Sequence, residues 1–135
     1  MRANIKRNGQ RRVVIVGGGL GGLKLASSLR DTDYQVVLVD KNNYNQFPPL
    51  IYQVASAGLE PSNIAFPFRR LFQNRKNFFF RMAEVQRIDA EEKAILTSIG
   101  TIHYDDLVLA AGATTNFFGN KNIEASALSM KTVGE

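Results

Sequence analysis

The sequence predicts an α/β domain: a parallel sheet flanked by helices, with a small antiparallel β-meander attached. Three observations carry that expectation. Two short apolar segments, Val13 to Val16 and Val36 to Val39, are β-branched apart from one leucine and too short for helices, so they read as fully buried strands. One stretch of helical periodicity lies between them, giving a β-α-β unit whose crossover forces the strands parallel. A length of 135 residues, 44% hydrophobic and 21% charged, fits about one globular domain and rules out disorder, collagen and coiled coil.

The first strand is expected over Arg12 to Val16. Glycines follow at 17, 18, 19, 21 and 22, and Leu20, Leu23, Leu25, Ala26 and Leu29 form a helical stripe ending near Arg30. The second strand runs from Gln35 to Val39 into Asp40. From Lys41 to Gly58 the helical period fails, with Pro48 and Pro49 adjacent and Asn42, Asn43 and Asn45 clustered. This reads as a long structured loop with a short turn of helix near Ile51 to Ala55. Ile64, Phe68, Leu71 and Phe72 share one face of a helix between Ser62 and Asn74, which either begins or kinks at Pro67. Phe78, Phe79 and Phe80 open a third strand toward Val85. Arg87 to Ile102 reads as a hairpin or meander, and Leu107 to Ala110 as a last buried strand running into Gly112. Ala125, Leu128, Met130 and Val133 form an apolar pattern near the end with no closing element, so the chain reads as the front piece of a longer protein.

Charge and cysteine usage narrow the chemistry. The net charge is +5, but five cations (Arg2, Lys6, Arg7, Arg11, Arg12) and no acid fall in the first twelve residues, so the rest of the chain is neutral. With no apolar run in it, the segment 1–11 reads as a flexible, solvated basic tail, not as a secretory signal or a nucleic-acid arm. There is no Cys, which excludes disulfides, thiolate metal sites and thiol redox chemistry within these residues. No stretch approaches the 18 or so apolar residues of a spanning helix. His103 stands alone and reads as a strand histidine; no metal site is expected.

The segment Gly17-Gly18-Gly19-Leu20-Gly21-Gly22 satisfies G-x-G-x-x-G. It follows a buried strand, opens a helix and lies 18 residues before Asp40 at the end of the next strand, the context of a dinucleotide-binding Rossmann-like unit. Gly17 permits the tight turn, Gly19 has no Cβ to keep the backbone from a pyrophosphate, and Gly22 lets the helix approach the sheet. Unpaired N–H groups at the helix start then meet the phosphates. Asp40 can accept from both ribose hydroxyls, each such bond being worth roughly 1.5 to 3 kcal/mol, or about ten- to a hundredfold in affinity. It would repel a 2′-phosphate, which disfavours NADP and leaves FAD and NAD.

From Arg12 to Val133 the chain resembles the two-dinucleotide-binding-domain flavoproteins (pyridine nucleotide-disulfide oxidoreductase-like) and, within them, the type II NADH dehydrogenases, which are NADH:quinone oxidoreductases. Phe47-Pro48-Pro49-Leu50-Ile51-Tyr52-Gln53-Val54-Ala55 is similar to the F-x-P-L-[LI]-Y-x-V-A loop of those enzymes, and Gly58 to Ile64 continues it. Tyr104 to Ala113 resembles the second flavin motif, with Ala111 where the family has Thr. Ala83-Glu84-Val85 stands where the family's backbone meets adenine. The resemblance implies an FAD-binding domain over residues 12–135, truncated before the NADH domain and the C-terminal membrane anchor.

It also implies a non-proton-pumping enzyme of the respiratory chain, passing hydride from NADH to FAD and electrons to a quinone. The parent would be cytoplasmic, or peripheral on the cytoplasmic face of the inner membrane, and oligomerisation is left open. The cofactor set is Gly17, Gly19, Leu20, Gly21, Gly22, Asp40, Lys41, Pro49, Leu50, Val85, Ala111, Gly112 and Ala113. No catalytic side chain is nominated, and the 135-residue piece is expected to bind FAD poorly and to be inactive alone. Disulfide reductases of the superfamily, and sulfide:quinone oxidoreductases, would carry cysteines in this span. The alternatives are a non-catalytic module that senses a dinucleotide, or another FAD-dependent pyridine nucleotide oxidoreductase without redox cysteines. The Phe68, Phe72 and Phe78 to Phe80 aromatics read as core. Arg69, Arg70, Arg75 and Lys76 read as a solvated face.

Overall fold

A computed structural model describes residues 3–46, 51–60, 65–129 and 131. In chain order the elements are β1 (Arg12–Val16), α1 (Leu20–Ser28), β2 (Gln35–Asp40), β3 (Tyr44–Gln46), α2 (Ile51–Ala55), β4 (Ala65–Pro67), α3 (Phe68–Leu71), β5 (Phe78–Met82), β6 (Val85–Asp89), β7 (Ala94–Thr97), β8 (Gly100–His103), β9 (Asp106–Leu109) and α4 (Lys121–Ser126).

Four strands form a parallel sheet in the order β5-β2-β1-β9, with Ile15 opposite Leu38 and Val108. Side chains alternate across a strand, so each apolar run feeds two cores. Val13, Ile15, Val36, Leu38 and Phe80 face one side, where Ala26 of α1 and Phe68 and Phe72 at α3 cover them. Val14, Val37 and Val39 face the other and pack with Ile95, Ile102 and Tyr104. The expected helical flank is thus on one face only. The antiparallel sheet β6-β7-β8 covers the second. Burying one such aliphatic side chain contributes about 1.5 to 3 kcal/mol, which is why a run buried on both faces carries so much of the fold.

Several local expectations are revised. The basic start is not solvated along its length, because Ala3 and Ile5 are buried in the second core. Arg12, itself buried, donates to the carbonyls of Ile5 and His103 and to the Gln35 side chain, and Gln35 donates to the Lys6 carbonyl. Arg7 pairs with Asp105, and Arg11 grips Asp106 through two hydrogen bonds. These partners explain why a cationic segment lies against the fold: Ala3 and Ile5 bury while Arg7, Arg11 and Arg12 find acceptors.

The helix expected across Ser62 to Asn74 begins at Phe68, directly after Pro67 in extended conformation, and stops at Leu71; residues 61–64 lie outside the described residues. The strand expected from Phe78 toward Val85 breaks after Met82, where Ala83 donates to the Asp40 carbonyl, and the chain turns into the meander. The last parallel strand is half-buried instead of buried, with Leu109 59% exposed, because β9 is an edge strand. Near the end the helix is α4, capped by the Asn120 side chain and burying none of its residues; Met130 and Val133 lie outside the described residues. Arg75 is not part of a solvated face. Its guanidinium sits 4.7 Å from the Phe72 ring centre and donates to the Ala26 carbonyl. The aromatics are core as expected, with Phe68 against Phe80 at 4.9 Å and Phe72 stacked on Phe78 at 3.9 Å. No helix among the described residues is long and apolar enough to cross a membrane.

Candidate dinucleotide-binding site

The C-terminal ends of β1, β2 and β9 meet at one edge of the sheet, where parallel α/β sheets hold ligands. At the end of β1 the chain turns through Gly17, whose φ is +102° and whose N–H donates to the Val39 carbonyl. A Cβ on Gly17 would lie 2.3 Å from the Ala110 carbonyl oxygen, since β9 runs alongside and Ala110 donates to Val16. Gly22 is packed tighter still: a Cβ there would meet the Gly17 carbonyl oxygen at 1.8 Å. A Cβ on Gly18 would run into the Phe68 ring at 2.2 Å. The fold itself therefore demands glycine at these three positions.

Gly19 and Gly21 differ. A Cβ at either meets nothing within 4 Å, and Gly19 sits at φ −72°, which any L-residue adopts. Among the described residues nothing calls for a missing side chain there, whereas a ligand laid against the backbone does. Gly19 is the N-cap of α1, and neither a capping side chain nor an acid in the first turn answers the helix start. The N–H groups of that turn and the positive end of the helix dipole are available to an anion. Leu20 beside them is exposed.

Asp40 ends β2 half-buried, and its carboxylate braces the loop: Oδ2 accepts from Gly18 N–H at 2.7 Å and Oδ1 from Asn42 N–H at 2.8 Å. An ionised carboxylate has about four acceptor positions, so two remain for a pair of hydroxyls. Asp40 pairs in register with Met82, which brings the Ala83 to Val85 stretch to the same end of the sheet; Val85 is half-buried at the head of β6. Ala111, Gly112 and Ala113 continue from β9 as exposed backbone, Gly112 at φ +72°. Lys41 is exposed next to Asp40. Pro49 and Leu50 lie outside the described residues.

Three neighbours escaped the sequence reading. Gly18 was passed over in favour of the other glycines, yet both its polar groups are engaged. Asn45, read only as part of an asparagine-rich loop, is buried and donates from Nδ2 to the Gly18 carbonyl at 2.9 Å. Phe68 was assigned to the core and also fills the space beneath Gly18. A cleft of about 420 Å³ lies at the far end of the sheet, lined by Arg30, Tyr34, Arg75 and Lys76 among others, and contains none of these residues.

Residues 11–134 match the family model of the pyridine nucleotide-disulphide oxidoreductases. The chain belongs to that family. Among its relatives is the type II NADH:quinone oxidoreductase NdhA of Mycobacterium tuberculosis, 37% identical over 131 residues that cover 94% of this chain and 28% of the relative. The type II enzyme Ndh of the same organism is 33% identical over 128 residues, covering 92% and 28%. Of solved structures, the sulfide:quinone oxidoreductase of Aquifex aeolicus superposes with a TM-score of 0.84 at 29% identity, over 92% of this chain and 29% of that one. NDH2 of Plasmodium falciparum has the same fold, with a TM-score of 0.77 at 24% identity, over 85% and 25%. The chain thus spans little more than a quarter of the curated relatives it matches. It carries the family's frame without a cysteine, so these residues hold no redox-active disulfide.

Proposed function

We propose that these residues form the FAD-binding front part of a non-proton-pumping NADH:quinone oxidoreductase. The observation that carries the reading is the pair Gly19 and Gly21: glycines that no described neighbour requires, on a helix start that no side chain caps. A dinucleotide diphosphate explains both. The N–H groups of Gly19 to Gly22 bind it, Asp40 takes the adenosine ribose through its two unused acceptor positions, and the backbone at Val85 borders the adenine. Ala111, Gly112 and Ala113 approach the far half of the cofactor, with Lys41 beside Asp40. FAD is favoured over NAD by the likeness of Phe47 to Ala55 and of Tyr104 to Ala113 to the type II enzymes, and the relatives' names support the same activity.

When bound, the flavin supplies hydride and electron transfer. These residues bind it, orient it and neutralise its diphosphate; none acts as acid, base or nucleophile. The lack of cysteine sets the reading apart from thiol-based sulfide oxidation, despite the likeness to the Aquifex fold. NADH and quinone sites, and peripheral attachment at the cytoplasmic face of a membrane, belong to the remainder of the full-length protein.

The test is to purify the full-length protein carrying these residues. Bound flavin absorption and NADH-dependent reduction of a soluble quinone are expected. A colourless protein that binds NAD would overturn the reading in favour of a sensing module, and steady quinone reduction by residues 1–135 alone would overturn the division of labour.

A further inference from the structure

The geometry points to Asn45 as the positioning residue that aims the diphosphate loop, an inference that rests on the dinucleotide reading above. The Gly18 carbonyl and the Gly19 N–H belong to one planar trans peptide and point in opposite directions. Asn45 Nδ2 holds the carbonyl from a buried position, at 2.9 Å. The Gly19 N–H is thereby turned away from the interior, at a residue whose surroundings are open. On the other side of Gly18 its own N–H is held by Asp40 Oδ2.

This peptide lies between two glycines, where the backbone offers little resistance to rotation, so its orientation must be imposed from outside. The β3-β4 pair imposes it. Asn45 sits on β3 opposite Phe66 of β4, the Asn43 carbonyl accepts from Phe68 N–H, and the Phe68 ring fills the space under Gly18. Without the amide, the Gly18 carbonyl loses its partner and can turn its lone pairs toward the rim, where they repel a diphosphate. The ribose grip of Asp40 does not depend on that peptide's carbonyl.

The two contributions can be read separately in flavin-free full-length protein by titrating ADP and adenosine into the parent, Asn45→Ala and Asn45→Asp. The second variant keeps the shape and has no N–H to donate at neutral pH. ADP affinity is expected to fall roughly ten- to a hundredfold in both variants, the range for one charged hydrogen bond, with adenosine affinity unchanged within about twofold. Parallel loss of both ligands, loss of neither, or failure of both variants to fold would overturn the proposal. If the parent bound neither ADP nor adenosine, the dinucleotide reading itself would fall, and the role of Asn45 with it.

Discussion

Two glycines three positions apart should respond in opposite ways to the same added methyl group. In Gly22→Ala the new Cβ would stand 1.8 Å from the Gly17 carbonyl oxygen and 3.2 Å from Ile15 Cγ2. Ordinary contact starts near 3.4 Å, and the obstacle is backbone, so α1 must back away from the sheet by about 1.6 Å. Overpacking of this kind costs about 3 kcal/mol, and the better helix propensity of alanine returns roughly 1 kcal/mol. A net loss of about 2 kcal/mol lowers Tm by roughly 8 °C in a chain of this size.

Gly19→Ala meets nothing within 4 Å at a permissive φ. Alanine is the poorer N-cap by about 0.5 kcal/mol, and a stiffer unfolded chain offsets a similar amount, so Tm should stay within about 2 °C. Its methyl group stands where the diphosphate would lie, and ADP affinity should drop at least about tenfold. Thermal unfolding by circular dichroism, together with ADP titration of the flavin-free protein, reads both effects. Equal destabilisation by the two substitutions, or full ADP affinity in Gly19→Ala, would refute the division between glycines the fold needs and glycines the ligand needs.

Asp40→Ala removes both ribose hydrogen bonds and should lower ADP and adenosine affinity together by roughly a hundredfold or more, in contrast to the split expected at Asn45; isothermal titration measures it. Arg12→Ala strands the Ile5 carbonyl and the Gln35 side chain inside the fold and should cost about 2 to 4 kcal/mol in urea unfolding, with the segment 3–11 becoming sensitive to protease. Asp105 is held below the usual carboxylate range, first by the Arg12 N–H and then by Arg7. Its folded pKa lies under the unfolded one, so its contribution is complete above pH of about 5 and disappears as pH falls through the folded value. The difference in urea midpoint between the parent and Asp105→Asn should accordingly be present at pH 7 and shrink as pH falls below the range in which an unfolded aspartate titrates. A difference that grows on acidification would contradict the sign.

How much of this could be read from residues alone depends on the range of the interaction. Strands β1 and β2, the turn between them and Asp40 are set by neighbours in sequence. An apolar run too short for a helix, glycines at fixed spacing and one acid at the strand end leave few arrangements open. The short helix α2 and the meander were legible for the same reason. Other features have no local signature. Ala3 and Ile5 are single apolar residues in a cationic segment, and they are buried only because the β6-β7-β8 sheet leaves room beside Tyr104 and Ile102. The β3-β4 pairing closes a long loop, and edge exposure at Leu109 depends on where β9 falls in the sheet.

A parallel β-α-β unit ending in a glycine-rich turn that faces an acid is legible from the residues alone, because periodicity and missing side chains act within a few residues. The particular atoms that each glycine answers to emerge in the folded chain. Gly17 answers to the backbone of β9 alongside it, Gly22 to the Gly17 carbonyl, Gly18 to the Phe68 ring, and Gly19 and Gly21 to nothing among the described residues. The fold also decides that Asn45, 27 residues away, holds the loop, since a hydrogen bond to a carbonyl depends on where the β3-β4 pair docks and leaves no pattern in the residues that make it.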